Sequence, residues 1–188
     1  LMRLASDTTY MALGRPRRCE LDLSTLKSGH AVAGLQFVAT DPRLYGATER
    51  TITVPLGSGV MGGADFDLAF DLAFGGVSGL GQAQNDGTAE TWPLVTIAGI
   101  VTDPWLENVT TGEVLRLDVT MTAANDVLVI DMRRRSITLN GANMLGAIST
   151  AGGSRFWPLI PGANLLAFRA TVDTTPAVAM FTYHDASL

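Results

Sequence analysis

From residue 92 onward the chain is a succession of short apolar runs, each ended by turn-forming residues, and this punctuation points to repeated antiparallel reversal rather than helix. Runs at 92–101, 106–109, 114–121, 127–132, 136–139, 165–170 and 178–183 are rich in strand formers. Thr111-Gly112, Asn140-Gly141, Ala151-Gly152-Gly153 and Pro161-Gly162 lie between them, at points where glycine or proline lets the backbone turn. No three-turn helix is predicted after Asp41.

Upstream the same pattern continues with different strength. Residues 31–40 read as a strand stopped by Asp41-Pro42, since proline has no N–H for a ladder, and residues 49–56 as a second strand with Pro55 near its end. Phe66, Leu68, Phe70, Leu72 and Phe74 alternate with Asp65, Asp67, Ala69, Asp71 and Ala73, the cleanest period of two in the chain. Residues 75–87, rich in Gly, Gln and Asn, read as a loop. Residues 1–30 read as irregular, with a basic cluster at Arg15-Pro16-Arg17-Arg18. No repeat of constant length is visible.

Composition narrows the function classes. With 47% hydrophobic residues in 188 there is material for one sizeable core, and 20 Gly and 8 Pro spread between apolar runs are β punctuation rather than a linker. The net charge of -5, with Lys27 the only lysine among 13 cations, offers no broad basic face for a nucleic-acid backbone. Cys19 has no internal disulfide partner, no secretory signal is visible and no apolar run is long enough to span a membrane, so assembly in a cytosol is expected.

Chemistry-bearing constellations are sparse. His30 and His184 lie far apart, no Gly-x-Ser-x-Gly elbow is present, and one Cys with two distant His cannot supply a typical zinc set. The spacing of Asp65, Asp67 and Asp71 is already explained by the solvent face of a strand. Glu107, Glu113, Asp118 and Asp131 are candidates for a glycosidase pair, with Asp118 and Asp131 read as outward residues of strands. Asn108-Val109-Thr110 matches a glycosylation acceptor but reads as a turn. Trp92, Trp105 and Trp157 would make a sugar-stacking platform if exposed, and core lids or interface anchors if not. No catalytic residue, cofactor or metal is expected.

In order along the chain, Thr40-Asp41-Pro42-Arg43-Leu44-Tyr45, Asn85-Asp86-Gly87-Thr88-Ala89-Glu90-Thr91-Trp92-Pro93, Asn108-Val109-Thr110-Thr111-Gly112-Glu113, Val129-Ile130-Asp131, Phe156-Trp157-Pro158-Leu159 and Pro161-Gly162-Ala163-Asn164 resemble the distal tail protein, or minor tail protein, family of long-tailed bacteriophages. The closing Phe181-Thr182-Tyr183-His184-Asp185-Ala186 is similar to that family's last strand, with His184 where the family usually has Arg. The resemblance covers roughly residues 14–188 and rests on the order of several weak motifs.

The resemblance implies a mainly β fold: an antiparallel sandwich of galectin-like or jelly-roll type over residues 44–188, preceded at 1–43 by the closing strands of a ring-forming (belt) domain whose earlier part lies upstream of Leu1. It implies a structural virion protein rather than an enzyme, forming a ring of six copies at the tail tip. That ring would join the tail tube and tape-measure protein to the tail-tip hub, and would be assembled in the host cytoplasm. The residues expected at its seams are Arg15, Arg17, Arg18, Arg133, Arg134 and Arg135, facing acids such as Asp65, Asp67 and Asp71 of a neighbour, together with Trp105 and Trp157. The alternative is a carbohydrate-binding sandwich of a tail fibre or adhesin.

Overall fold

A computed structural model of the chain describes residues 2–3, 9–22, 27, 29, 31–57, 79–171 and 177–188. The regular structure of the described residues is almost entirely antiparallel strand, in two facing sheets with one core between them and a separate two-stranded ribbon. The alternating run at 66–74, Asp65 and His30 lie outside the described residues.

The larger sheet is laid down mainly by the long strands. β1 (Met2–Arg3) and β2 (Thr9–Met11) lead into the ribbon strands β3 (Gly14–Asp22) and β4 (Val32–Ala39), after which β5 (Leu44–Pro55) returns beside β2. With β7 (Leu94–Ala98), β12 (Val127–Asp131), β13 (Ser136–Leu139), β14 (Ala142–Asn143) and β16 (Val178–Ser187), the sheet order is β1-β2-β5-β16-β7-β12-β13-β14. The smaller sheet has the order β10-β9-β15-β6, from β6 (Leu80–Asn85), β9 (Trp105–Asn108), β10 (Glu113–Arg116) and β15 (Gly162–Arg169). The short pair β8 (Val101–Thr102) and β11 (Thr120–Met121) contributes Val101 and Met121 to the same core.

Pairing register explains which side chains enter the core. Ile97 lies opposite both Ala179 and Leu128, and Val95 opposite both Phe181 and Ile130, so one pleat of the large sheet points inward as a continuous apolar surface. Leu106, Leu115, Leu166 and Phe168 answer from the small sheet. Phe168, Phe181 and Trp157 are fully buried, and truncating such an aromatic to Ala costs about 3–5 kcal/mol. Trp157 stacks on Phe181 with ring centroids 6.2 Å apart.

Three expectations need correction. Residues 1–30 are not irregular where described: they supply β1, β2 and β3. The 75–87 stretch contains β6, whose Ala83 points inward while the polar Gln82 and Gln84 alternate with it; Gly81 is required there, because a Cβ would come within 2.7 Å of Val54 Cγ2. The 114–121 run is two strands: Leu117 N still donates to the Pro104 carbonyl at 3.0 Å in the β9–β10 register, but Asp118 N turns away to the Ala147 carbonyl at 2.8 Å, and Asp118 therefore lies between strands. The strand expected at 31–40 does end before Asp41, and Asn140 and Gly141 both take the positive φ foreseen for that turn.

Candidate subunit interface

The ribbon is built from a sequence that alternates on both strands, and its cross-strand register sorts the residues by face. Pro16 pairs with Phe37, Cys19 with Leu35 and Leu21 with Ala33, placing these six on one side. Arg15 opposite Val38, Arg18 opposite Gln36 and Glu20 opposite Gly34 take the other side. The register shifts between Pro16 and Arg18, so Arg17 is the extra residue of a β-bulge. The apolar side is open to solvent: Leu21 is 60%, Leu35 59% and Phe37 62% exposed. An isolated two-stranded ribbon is marginal in water, and one with an uncovered apolar face is incomplete on its own.

The ribbon grows out of the β2–β5 ladder. Met11 pairs with Tyr45 at its base, and Tyr45 packs with Ala89, Ala186 and Met11 in a small cluster apart from the main core. Beyond that pair the ladder breaks, and Asp41 organises the break. Its Oδ1 accepts from the Arg43 backbone N–H at 3.1 Å, and its Oδ2 from the Tyr45 hydroxyl at 2.7 Å. The Arg133 guanidinium reaches the same Oδ2 at 2.6 Å and lies over the Tyr45 ring, 5.3 Å from its centroid. Burial alone would raise the Asp41 pKa, but the Tyr45 hydroxyl, the Arg43 amide and the charges of Arg133 and Arg43 together hold it below the usual carboxylate value. For Tyr45, burial and the Asp41 hydrogen bond push the phenol above its ordinary value.

The expected seam residues are distributed over four places. Arg15 and Arg18 lie on the polar side of the ribbon, Arg18 paired with Glu20, and Arg17 sits in its bulge. Arg133, Arg134 and Arg135 form the tip of the β12–β13 hairpin: Arg133 is tied to Asp41, Arg134 pairs with Asp131 at 3.7 Å, and Arg135 has a positive φ of 54°. Trp105 is half-buried beneath the Arg116 guanidinium, 4.8 Å from the ring centroid. Trp157 is wholly enclosed in the sandwich and has no surface to offer a partner. The sequence reading missed the apolar face of the ribbon; the alternation of Cys19 and Leu21 against Arg18 and Glu20 was a signal, masked by the bulge at Arg17.

Several sequence landmarks turn out to be buried joints. Asn85, Asn108 and Asn164 are each 1% exposed or less. Asn85 Nδ2 donates to the Ala89 carbonyl at 2.8 Å while its Oδ1 accepts from Gly87 N at 3.1 Å. Asn164 Oδ1 accepts from Ile160 N at 3.0 Å and from Asn108 Nδ2 at 3.1 Å. Asn108 Oδ1 in turn accepts from Thr110 N at 3.2 Å, the turn read from sequence, and its enclosed amide is inaccessible to a glycan. Asp86 N donates to Asp185 Oδ1 at 3.0 Å, and Arg50 bridges Asp86 and Asp185, which anchors this loop to the last strand.

The candidate carboxylates are spread over both sheets and the segment between β10 and β11. Glu107 and Glu113 belong to the small sheet and Asp131 to the large one, with Glu113 paired to Arg155 at 3.6 Å. An open cleft of ≈ 390 Å³ below the ribbon holds both Glu49 and Asp131. Strands β16 and β7 separate β5 from β12, three steps of about 4.8 Å. Glu49 and Asp131 are thus held on strands roughly 14 Å apart rather than on neighbouring ones. Among the described residues no three His, Cys, Asp or Glu side chains group so as to hold a metal ion, and no helix is long and apolar enough to cross a membrane.

Residues 86–184, just over half of the chain, match the family model described as a siphovirus-type tail component, C-terminal domain. Among solved structures the chain is similar to the SPP1 Dit (gp 19.1) protein, whose description calls it a paradigm of the hub adsorption apparatus in phages infecting Gram-positive hosts, with a TM-score of 0.54 and 16% identity. The match covers 92% of this chain and 59% of that one, so the chain spans well under two thirds of its structural relative. No curated protein matches significantly.

Proposed function

This chain belongs to the siphovirus-type tail component family, and from that premise we infer that it is a distal tail protein acting as one segment of a closed ring. It is a structural component of a phage tail, and in this proposal six copies close a ring between the tail tube and the tail-tip hub. The observation that carries it is the exposed apolar face of Pro16, Cys19, Leu21, Leu35 and Phe37 on a ribbon that no other element covers among the described residues. A head-to-tail contact between successive copies would bury that face, and such contacts close into rings when the rotation per subunit divides a full turn.

In this reading residues 1–43 complete the ring-forming part and residues 44–188 form a galectin-like sandwich displayed outward. The tape-measure protein and tail tube would meet one side of the ring and the hub the other. The carbohydrate-binding alternative needs exposed indoles, and the enclosure of Trp157 removes one of its three rings.

The test is electron microscopy of the purified full-length protein together with native mass measurement. Rings of six-fold symmetry are expected. A protein that stays monomeric at tens of micromolar, or a tail map placing a single copy on a fibre, would overturn the reading.

A further inference from the structure

The Arg133 guanidinium, at the tip of one hairpin, is joined to the carboxylate that ends another, and the two are 92 residues apart in sequence. Four contacts meet at that carboxylate: the Arg133 pair at 2.6 Å, the Tyr45 hydroxyl at 2.7 Å, the Arg43 amide at 3.1 Å and the Arg43 guanidinium at 3.6 Å. Asp41 is largely sheltered, its side chain 11% exposed against 36% for Arg133, so the charge pair is only partly screened. Tyr45 belongs to the rigid large sheet and Arg133 to the hairpin of the same sheet, whereas Asp41 lies between the end of β4 and the start of β5. The pair therefore connects the ribbon's foot to the sandwich at a point where the β2–β5 ladder has already broken.

We propose that Arg133 is a positioning residue that clamps the foot of the β3–β4 ribbon and sets the angle at which the ribbon leaves the sandwich, and that it is not a seam contact between subunits. The inference rests on the ring reading for its purpose. A ribbon free to swing samples many directions, and only the fraction aimed at a neighbour is competent to bind, so clamping raises affinity without adding a contact. Arg134 and Arg135 share the tip but lack this role: Arg134 turns back to Asp131, whose Oδ1 also accepts from its backbone N–H at 2.8 Å.

The distance measurement uses the unassembled protein with Cys19→Ser to remove the single native thiol, while the assembly series keeps Cys19, which lies on the face proposed to be buried. Spin labels are placed at Gln36→Cys on the polar side of the ribbon and Thr53→Cys on the large sheet, both exposed positions. In the unassembled chain a narrow label–label distance distribution is expected, broadening in Arg133→Ala and staying narrow in Arg134→Ala and Arg135→Ala. Assembly followed by sedimentation should need about tenfold more protein for Arg133→Ala, the equivalent of 1.4 kcal/mol, with the other two near wild type. Arg133→Lys, which keeps the charge, should recover part of the loss. Equal widths in all three alanine variants would overturn the clamp. A sharp distribution in a protein that never forms rings would instead leave the clamp standing and remove the ring reading.

Discussion

Replacing Phe37 by Ala separates ring assembly from folding, because the side chain lies on the ribbon's apolar face and is 62% exposed in the single chain. An aromatic side chain buries about 150–250 Å² when fully enclosed. The uncovered share here is therefore roughly 120 Å², worth about 3 kcal/mol at about 25 cal/mol per Å². The methyl left by Ala recovers a little, so each seam should weaken by about 2–3 kcal/mol, roughly 30- to 150-fold in the association constant. The folded monomer loses almost nothing, within about 0.5 kcal/mol, as exposed positions usually do. Sedimentation velocity over a concentration series reads the first quantity and thermal unfolding below the assembly threshold reads the second. Gln36→Ala, on the opposite face, serves as the control and should alter neither. Unchanged assembly in Phe37→Ala, or a monomer destabilised by more than about 1 kcal/mol, would refute the argument that this face awaits a neighbour.

Three further outcomes follow from the same geometry. Gly87→Ala would set a Cβ 1.8 Å from the Ala186 carbonyl oxygen, which already accepts from Ala89 N, so the last strand must shift; a loss of about 2 kcal/mol or more in urea unfolding is expected. Asn164→Ala leaves Asn108 Nδ2 and Ile160 N without the shared Oδ1 acceptor and should cost about 3 kcal/mol by the same measurement. The pKa of Asp41 is lowered by folding, so its contribution is complete above the ordinary carboxylate value of about 3.9 and is lost as pH falls through the lowered value. Wild type and Asp41→Asn should accordingly differ in thermal stability at pH 6 and converge toward pH 2, and a difference that persists at pH 2 would contradict this.

How legible the fold was depended on how each strand is buried. The runs at 127–132, 136–139 and 178–183 were readable because one pleat packs on the core and the other faces water, which imprints a period of two. β6 was unreadable: its inner face carries only Gly81, Ala83 and Asn85, small or polar because Val54 crowds it and a buried loop must be tied down. β3 was hidden by its bulge, which shifts the alternation by one residue at Arg17. Asn85, Asn108 and Asn164 stood out as landmarks in sequence, but their work as buried connectors depends on which backbone groups the fold brings within reach.

The sequence alone determined the β architecture, the turn positions and the resemblance to tail proteins, because these depend on local chemistry: alternation, glycine where φ is positive and proline where a ladder stops. Only the tertiary structure decided that Arg133 meets Asp41 of its own chain, that Trp157 belongs to the core and that the ribbon's apolar side is exposed in the single chain. Those outcomes are set by cross-strand register and by meetings between residues far apart in the chain. The physical reason is that a side chain's type limits what it can bond to, while what it does bond to depends on which surface the folded sheets bring against it.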